Sequence, residues 1–227
     1  MSKPQKIWEK VYQIGGPNIS HPSDCCIYLV DVGNEESVLI DCGSGKSYDK
    51  LVKNIELIGF DPKKLKAIIL THCHIDHIGA ASLFKKEFDL AIFAHEKDSE
   101  AIEGKDIKRT AASWYGVEYS PIALDYKFSV EREELTVGDM EFNCLHTPGH
   151  TPGSISIYCD IEGKRILFGQ DIHGPFDESF GSNMKDWKNS MNKLLDLKAD
   201  ILCEGHFGIY RSKEEVKRYI HGYLDRY

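Results

Sequence analysis

Residues 71–77 read Thr-His-Cys-His-Ile-Asp-His, and they follow directly on the apolar run KAIIL. A short β-branched run of this kind reads as a buried strand. Four good metal ligands therefore fall within six residues at the point where a strand leaves its sheet. That placement constrains the fold, because any remaining ligands must come to the same sheet edge. His72 and His74 stand two apart on extended backbone, so they point to one side and Cys73 to the other. Asp76 and His77 lie where the chain turns into a helix, within reach of a second ion. Imidazole and carboxylate donors suit zinc, iron or manganese. Chance clustering or helix capping is the competing account. With ten histidines in 227 residues it is a poor one.

Three more donors stand at predicted strand-to-loop junctions. His150 lies in HTPGHTPGS after MEFNCLH, Asp171 in FGQD after RILFG, and His206 in EGH after ADILC. Metal sites in sheet proteins are commonly assembled from such loops. Five histidines and two aspartates suffice for two ions. One partition gives the first ion His72, His74 and His150, and the second Asp76, His77 and His206, with Asp171 bridging.

The rest of the chain supplies a frame for that edge. CCIYLVDV and SVLID read as strands, Ser47 to Ile58 as a helix, and Ile78 to Phe88 as a second helix before the strand LAIFA. Residues 95–126 read as a short helical excursion. KFSV, ELTV, MEFNCLH, SISIYC and RILFG then read as strands, and Ser182 to Leu197 as a helix. Ser212 with Glu215 forms a capping-box pattern opening a last amphipathic helix. Residues 1–227 are expected to form one domain.

Composition narrows the partners. The chain carries 28 Lys and Arg against 36 Asp and Glu, a net charge of −8. With no basic run, a nucleic-acid partner is not expected. No apolar stretch approaches the roughly 18 residues of a membrane helix. The N-terminus lacks an apolar signal core, so the expected location is the cytoplasm. The seven cysteines show no C-x-x-C spacing and sit mostly in apolar stretches, which points to buried, reduced thiols. A small-molecule substrate is expected, and a homodimer is compatible with these features.

The series H-x-H-x-D-H, then His150, Asp171 and His206, resembles the metallo-β-lactamase superfamily in its glyoxalase II-like and lactonase-like branch, from about Asp41 to His206. The resemblance implies an α/β fold, a four-layer αββα sandwich with two divalent metal ions, most often zinc, at one sheet edge. It implies that the seven residues above are the ligands. Asp41 in LIDCG looks like the family's outer aspartate that orients a ligand imidazole, or else a turn residue before Gly43. A full glyoxalase II carries a helical C-terminal domain where only about twenty residues follow His206 here. Glutathione thioesters are therefore expected to be poor substrates.

The implied chemistry is attack by a metal-bound hydroxide on an ester, thioester, lactone or amide. Asp76 and Asp171 are the expected catalytic carboxylates. His146 is a candidate for an outer shell or a plain strand end, and His173 for an outer shell, substrate contact or a purely structural role. Trp114, Tyr115, Tyr119, Phe176 and Phe180 are candidates for a pocket wall or for plain packing. The rival is a persulfide dioxygenase-like oxidoreductase, with one iron on His72, His150 and Asp171.

Overall fold

The computed structural model describes residues 2–227. Seven strands form the first sheet, in the order β1 (Gln5–Trp8), β2 (Val11–Gly15), β3 (Ile27–Gly33), β4 (Glu36–Ile40), β5 (Leu65–Ile69), β6 (Ala91–His95) and β7 (Tyr126–Phe128). Strands β1 to β4 pair antiparallel, and β4 to β7 pair parallel. The parallel half contains the crossover helices α1 (Tyr48–Leu57), the single turn α2 (Ile75–Ile78), α3 (Ala81–Phe88) and α4 (Glu96–Ile102).

The second sheet contains β8 (Arg132–Val137), β9 (Met140–His146), β10 (Ile155–Ile161), β11 (Lys164–Gln170), β12 (Ile201–Glu204) and β13 (Ile209–Tyr210), in that order across the sheet. Helices α5 (Met184–Asp196) and α6 (Lys213–Leu224) belong to it.

Strand alternation builds three apolar layers from these elements. On β3 and β4, Leu29 and Leu39 face one way and pack with Leu51 and Ile55 of α1 and Phe84 of α3. Val30, Val38 and Ile40 face the other way and meet Phe142, Ile157, Phe168 and Cys203 between the sheets. On β11 and β12, Leu167 and Leu202 turn outward against Trp187 and Met191 of α5 and Val216 and Ile220 of α6. The layers are thus helix, sheet, sheet, helix, the expected αββα sandwich.

The structure departs from the sequence reading at several elements. The helix expected over Ile78 to Phe88 is broken into α2 and α3. Gly79 sits against the backbone of Ser44, and a Cβ there would overlap the Ser44 carbonyl. The structure adds three strands that the sequence pattern does not mark, the half-polar β1, the short β2 and the two-residue β13. Their alternation is too short or too irregular, with register shifts at Lys6/Trp8 and Gln13/Gly15. At the last helix, Ser212 Oγ accepts from Glu215 N–H, but the Glu215 carboxylate accepts from Arg211 N–H instead of closing on Ser212. Among the described residues no helix is long and apolar enough to cross a membrane. All seven cysteines are buried and unpaired.

Candidate metal centre

The candidate ligands gather at the ends of β5, β9, β11 and β12. His72, His74, Asp76, His77, His150 and Asp171 are all buried, and His206 is half-buried. They form two groups, one of His72, His74, His150 and Asp171 and one of Asp76, His77 and His206, and Asp171 also falls within reach of His206 together with His173.

Backbone and hydrogen bonds fix how each ring faces the centre. Thr71 donates through its N–H and its hydroxyl to Asp41 Oδ1 and Oδ2, each at 2.8 Å. His77 Nδ1 donates to Asp41 Oδ2 at 2.7 Å. With its own proton given to Asp41, Thr71 Oγ1 can accept from His72 Nδ1 at 3.1 Å. His150 Nδ1 donates to the Pro175 carbonyl at 2.8 Å. A carboxylate or carbonyl can only accept, so these partners assign the tautomers. Each of the three rings then presents an Nε2 lone pair inward.

Those inward atoms converge. His74 Nδ1 lies 3.1 Å from His72 Nε2 and 2.8 Å from His150 Nε2. One proton could satisfy one of these contacts, whereas a cation satisfies all of them. Ligands around a tetrahedral zinc with bonds of about 2.0–2.1 Å lie about 3.3 Å apart, close to this spacing. In the other group, His206 Nε2 is 3.2 Å and His77 Nε2 3.7 Å from Asp76 Oδ2. Asp171 lies between. Its Oδ2 is 3.5 Å from His150 Nε2 and 3.9 Å from His72 Nε2. Its Oδ1 is 3.3 Å from His77 Nε2 and 3.4 Å from His206 Nε2. His77 Nε2 and Asp171 Oδ1 are buried and have no hydrogen-bond partner within the protein. Buried polar atoms seldom stay unpaired, and a bound cation would satisfy both.

Electrostatics agree. Burial, and then the neighbouring imidazoles, hold His72 and His74 well below the usual histidine range, so both are neutral donors. Burial opposes a charge on His206, but Asp171 and Asp76 outweigh it and raise its pKa to about 10. A site that so favours a proton equally favours a metal cation.

Backbone strain marks the same edge. Asp41 (φ 60°) and Gln170 (φ 49°) adopt left-handed conformations at the ends of β4 and β11. Such non-glycine residues cost on the order of 1 kcal/mol and concentrate at functional sites. Gln170 steers the chain so that Asp171 enters the centre, and its Oε1 accepts from the Asp171 N–H at 2.7 Å.

Two buried carboxylates at the site were not singled out from sequence. Glu204 Oε2 accepts from the His206 and Phe207 N–H groups, and its Oε1 accepts from His173 Nδ1 at 2.8 Å. Asp98 of α4 accepts from Cys73 N–H, Thr151 Oγ1, Gly153 N–H and Arg109. It thereby ties the loop carrying His72 and His74 to the loop carrying His150. A local signal existed only for Glu204, an acid beside a glycine and a candidate ligand in CEGH.

The structure divides the remaining candidates between the alternatives the sequence left open. His146 reaches no candidate ligand. It ends β9, donates through Nε2 to the Pro152 carbonyl, and stacks at 4.0 Å on His95. The loop beyond it, and not His146, swings inward with His150. Tyr119 is buried in the first helix layer, its hydroxyl on the Ile102 carbonyl. Phe176 packs on Trp187, outside the pocket. Trp114, Tyr115 and Phe180 do line a cavity with His74, Asp76, Asp171, His173 and His206.

The His95–His146 stack carries a pH prediction. Burial, then His146, lowers the His95 pKa to about 3. In the unfolded chain it is about 6.5. The unfolded state thus takes up a proton that the folded state refuses, so stability is full above about pH 6.5 and declines as pH falls toward 3. His95→Phe keeps the stack and removes the titration. Its unfolding temperature should fall less between about pH 6.5 and 4 than the native chain's. Equal pH slopes for the two proteins in thermal unfolding would refute this.

A buried cluster of histidines and aspartates at the edge of an αββα sandwich suits a bound metal centre. Residues 22–206 match the metallo-beta-lactamase superfamily, and the chain belongs to that family. A hydroxyacylglutathione hydrolase of Haemophilus influenzae is 30% identical over 89% of this chain and 93% of its own length. A probable metallo-hydrolase of Methanocaldococcus jannaschii is 32% identical over 76% of this chain and 83% of its own. Among solved structures, a metallo-beta-lactamase of Cronobacter sakazakii shares the fold at a TM-score of 0.84 and 20% identity, covering 100% of this chain and 95% of that one.

Proposed function

We propose that this chain is a dinuclear hydrolase of small-molecule esters, thioesters, lactones or amides. The reading rests on Asp171, whose two carboxylate oxygens are divided between the two groups of donors. One ion would be held by His72 Nε2, His74 Nδ1 and His150 Nε2. The other would be held by Asp76, His77 Nε2 and His206 Nε2, with Asp171 common to both. Zinc suits these donors best, with iron and manganese also compatible. When bound, two such ions supply a hydroxide nucleophile near neutral pH and polarise the substrate carbonyl.

The protein's own residues do the rest. Asp41, Thr71 and the Pro175 carbonyl hold the imidazoles in the ligating tautomer. Asp76, which lines the cavity, can accept a hydrogen bond from the attacking water and orient it. A mononuclear iron oxygenase would need only His72, His150 and Asp171. It would leave the inward aim of His74, His77 and His206 without a purpose. The name of the Haemophilus relative keeps thioesters among the candidate substrates.

Metal analysis and ester or thioester turnover on one preparation test the reading. Two zinc per chain with hydrolysis supports it, whereas one iron with thiol-dependent oxygen uptake favours the oxygenase. His74→Ala should reduce metal content and activity together. Two ions retained in that variant would refute the partition.

A further inference from the structure

The cavity at the metal centre has a volume of about 300 Å³ and opens directly onto His74, Asp76, Asp171 and His206. No Lys or Arg is among the described residues that line it. Lys46 is engaged elsewhere, donating to the Tyr115 carbonyl oxygen. The walls are aromatic instead. Trp114 and Phe207 line the cavity and are 63% and 59% exposed. Most large apolar side chains of this protein are buried, and a pair of exposed aromatics flanking a polar site marks a binding surface.

These aromatics lie on both sides of the centre. Phe180 stands 4.5 Å from the His74 ring and 4.8 Å from Trp114, on the side of the first donor group. Phe207 stands 4.5 Å from the His173 ring and directly follows His206, on the side of the second. A scissile carbonyl over the centre would therefore have an aromatic wall beside each of its two halves. With Asp76 and Asp171 engaged by the ions, no Lys or Arg among the described residues stands along the aromatic walls to pair with an anionic substituent, which would lose its water there without compensation.

The geometry points to a substrate that is uncharged and apolar on both sides of the scissile bond, an alkyl or aryl ester, thioester or lactone, with Trp114 and Phe207 as its specificity residues. This rests on the hydrolase reading above. Water adds its oxygen to the acyl carbon, the C–O or C–S bond breaks, and the water's proton goes to the departing alcohol or thiol. An acid and an alcohol or thiol result, joined in one molecule when the substrate is a lactone. Glutathione thioesters, whose leaving group carries two carboxylates, fall outside this class.

The test compares neutral and anionic partners of similar size on the two-ion protein, such as benzyl hexanoate against monobenzyl succinate, and S-benzyl thiohexanoate against S-benzyl monothiosuccinate. The neutral member should have a kcat/KM at least tenfold higher, about 1.4 kcal/mol. Trp114→Ala and Phe207→Ala should each raise KM for the neutral ester severalfold, with a much smaller change in kcat. Hexyl phenyl ketone, an uncharged non-hydrolysable probe, should quench the fluorescence of exposed Trp114, and the quench should vanish in Trp114→Phe. Equal turnover of the anionic members, or wild-type KM in both alanine variants, would overturn the inference and leave the hydrolase reading intact. Quenching by the ketone without hydrolysis of any member would refute the hydrolase reading while supporting the pocket's preference.

Discussion

Asp171→Asn is expected to bind one divalent ion where the native chain binds two, and to lose turnover far more than substrate affinity. A carboxylate offers two equivalent anionic oxygens, and here one faces each donor group. Asparagine keeps the shape but replaces one oxygen with an NH2 that cannot ligate. It also removes the negative charge that offsets repulsion between two dications in a buried site. Replacing outer partners of metal ligands already costs about 10–100-fold in affinity or activity. Loss of a shared ligand should exceed that, so kcat should fall more than about a hundredfold. The fold should survive, because Asp171 belongs to none of the three apolar layers. Metal stoichiometry, steady-state kinetics and thermal unfolding on one preparation decide the matter. Two ions and native kcat in the variant would show that Asp171 is not shared.

The convergence of His72, His74, Asp76 and His77 was legible in the sequence because those residues are neighbours, and local backbone geometry alone decides where they point. His150, Asp171 and His206 are distant in sequence, yet each follows an apolar run that ends in a loop, so the strand pattern placed them at one edge. The pattern could say nothing of partners supplied from elsewhere. Asp98 acts through backbone N–H groups of other segments, and nothing in the residue types around it announces that, whereas Glu204 bonds the His206 and Phe207 N–H groups beside it and reaches another loop only through His173. His146 is the strand-end residue that the sequence allows, closing β9, and only the following loop carries a side chain, His150, inward.

The sandwich itself was legible where alternation is strong. Leu29, Leu39, Leu167 and Leu202 face helices while their chain neighbours face the opposite sheet. The edge elements were not. In β1, Gln5 and Lys6 are exposed and only Ile7 is buried, so its hydrophobic signal is a single residue. The break between α2 and α3 depends on Ser44, thirty-five residues before Gly79, and a periodicity window cannot detect so distant a contact.

Asp98→Ala should be the most damaging substitution outside the candidate ligands. The Asp98 side chain is fully buried and accepts four hydrogen bonds, from Cys73 N–H at 3.0 Å, Thr151 Oγ1 at 2.6 Å, Gly153 N–H at 2.8 Å and Arg109 at 2.8 Å. Three of those donors are buried with it, and alanine leaves the Cys73 and Gly153 N–H groups unpaired while Thr151 Oγ1 keeps Ser154 Oγ. Removing one partner of a buried charged pair costs about 3–5 kcal/mol, far more than a surface ion pair is worth. Asp98→Asn keeps one acceptor oxygen and should cost less, about 1–3 kcal/mol. The same bonds clamp Cys73, between His72 and His74, to the loop that carries His150. Loosening them should weaken metal binding even though Asp98 touches none of the inward nitrogens. Stability by chemical denaturation and affinity by metal titration should therefore fall in the same order, native above Asn above Ala. A stable Ala variant with native metal affinity would mean that the two loops hold their positions without the aspartate. The His72–His74–His150 triangle would then owe its geometry to packing and to the Asp41, Thr71 and Pro175 hydrogen bonds.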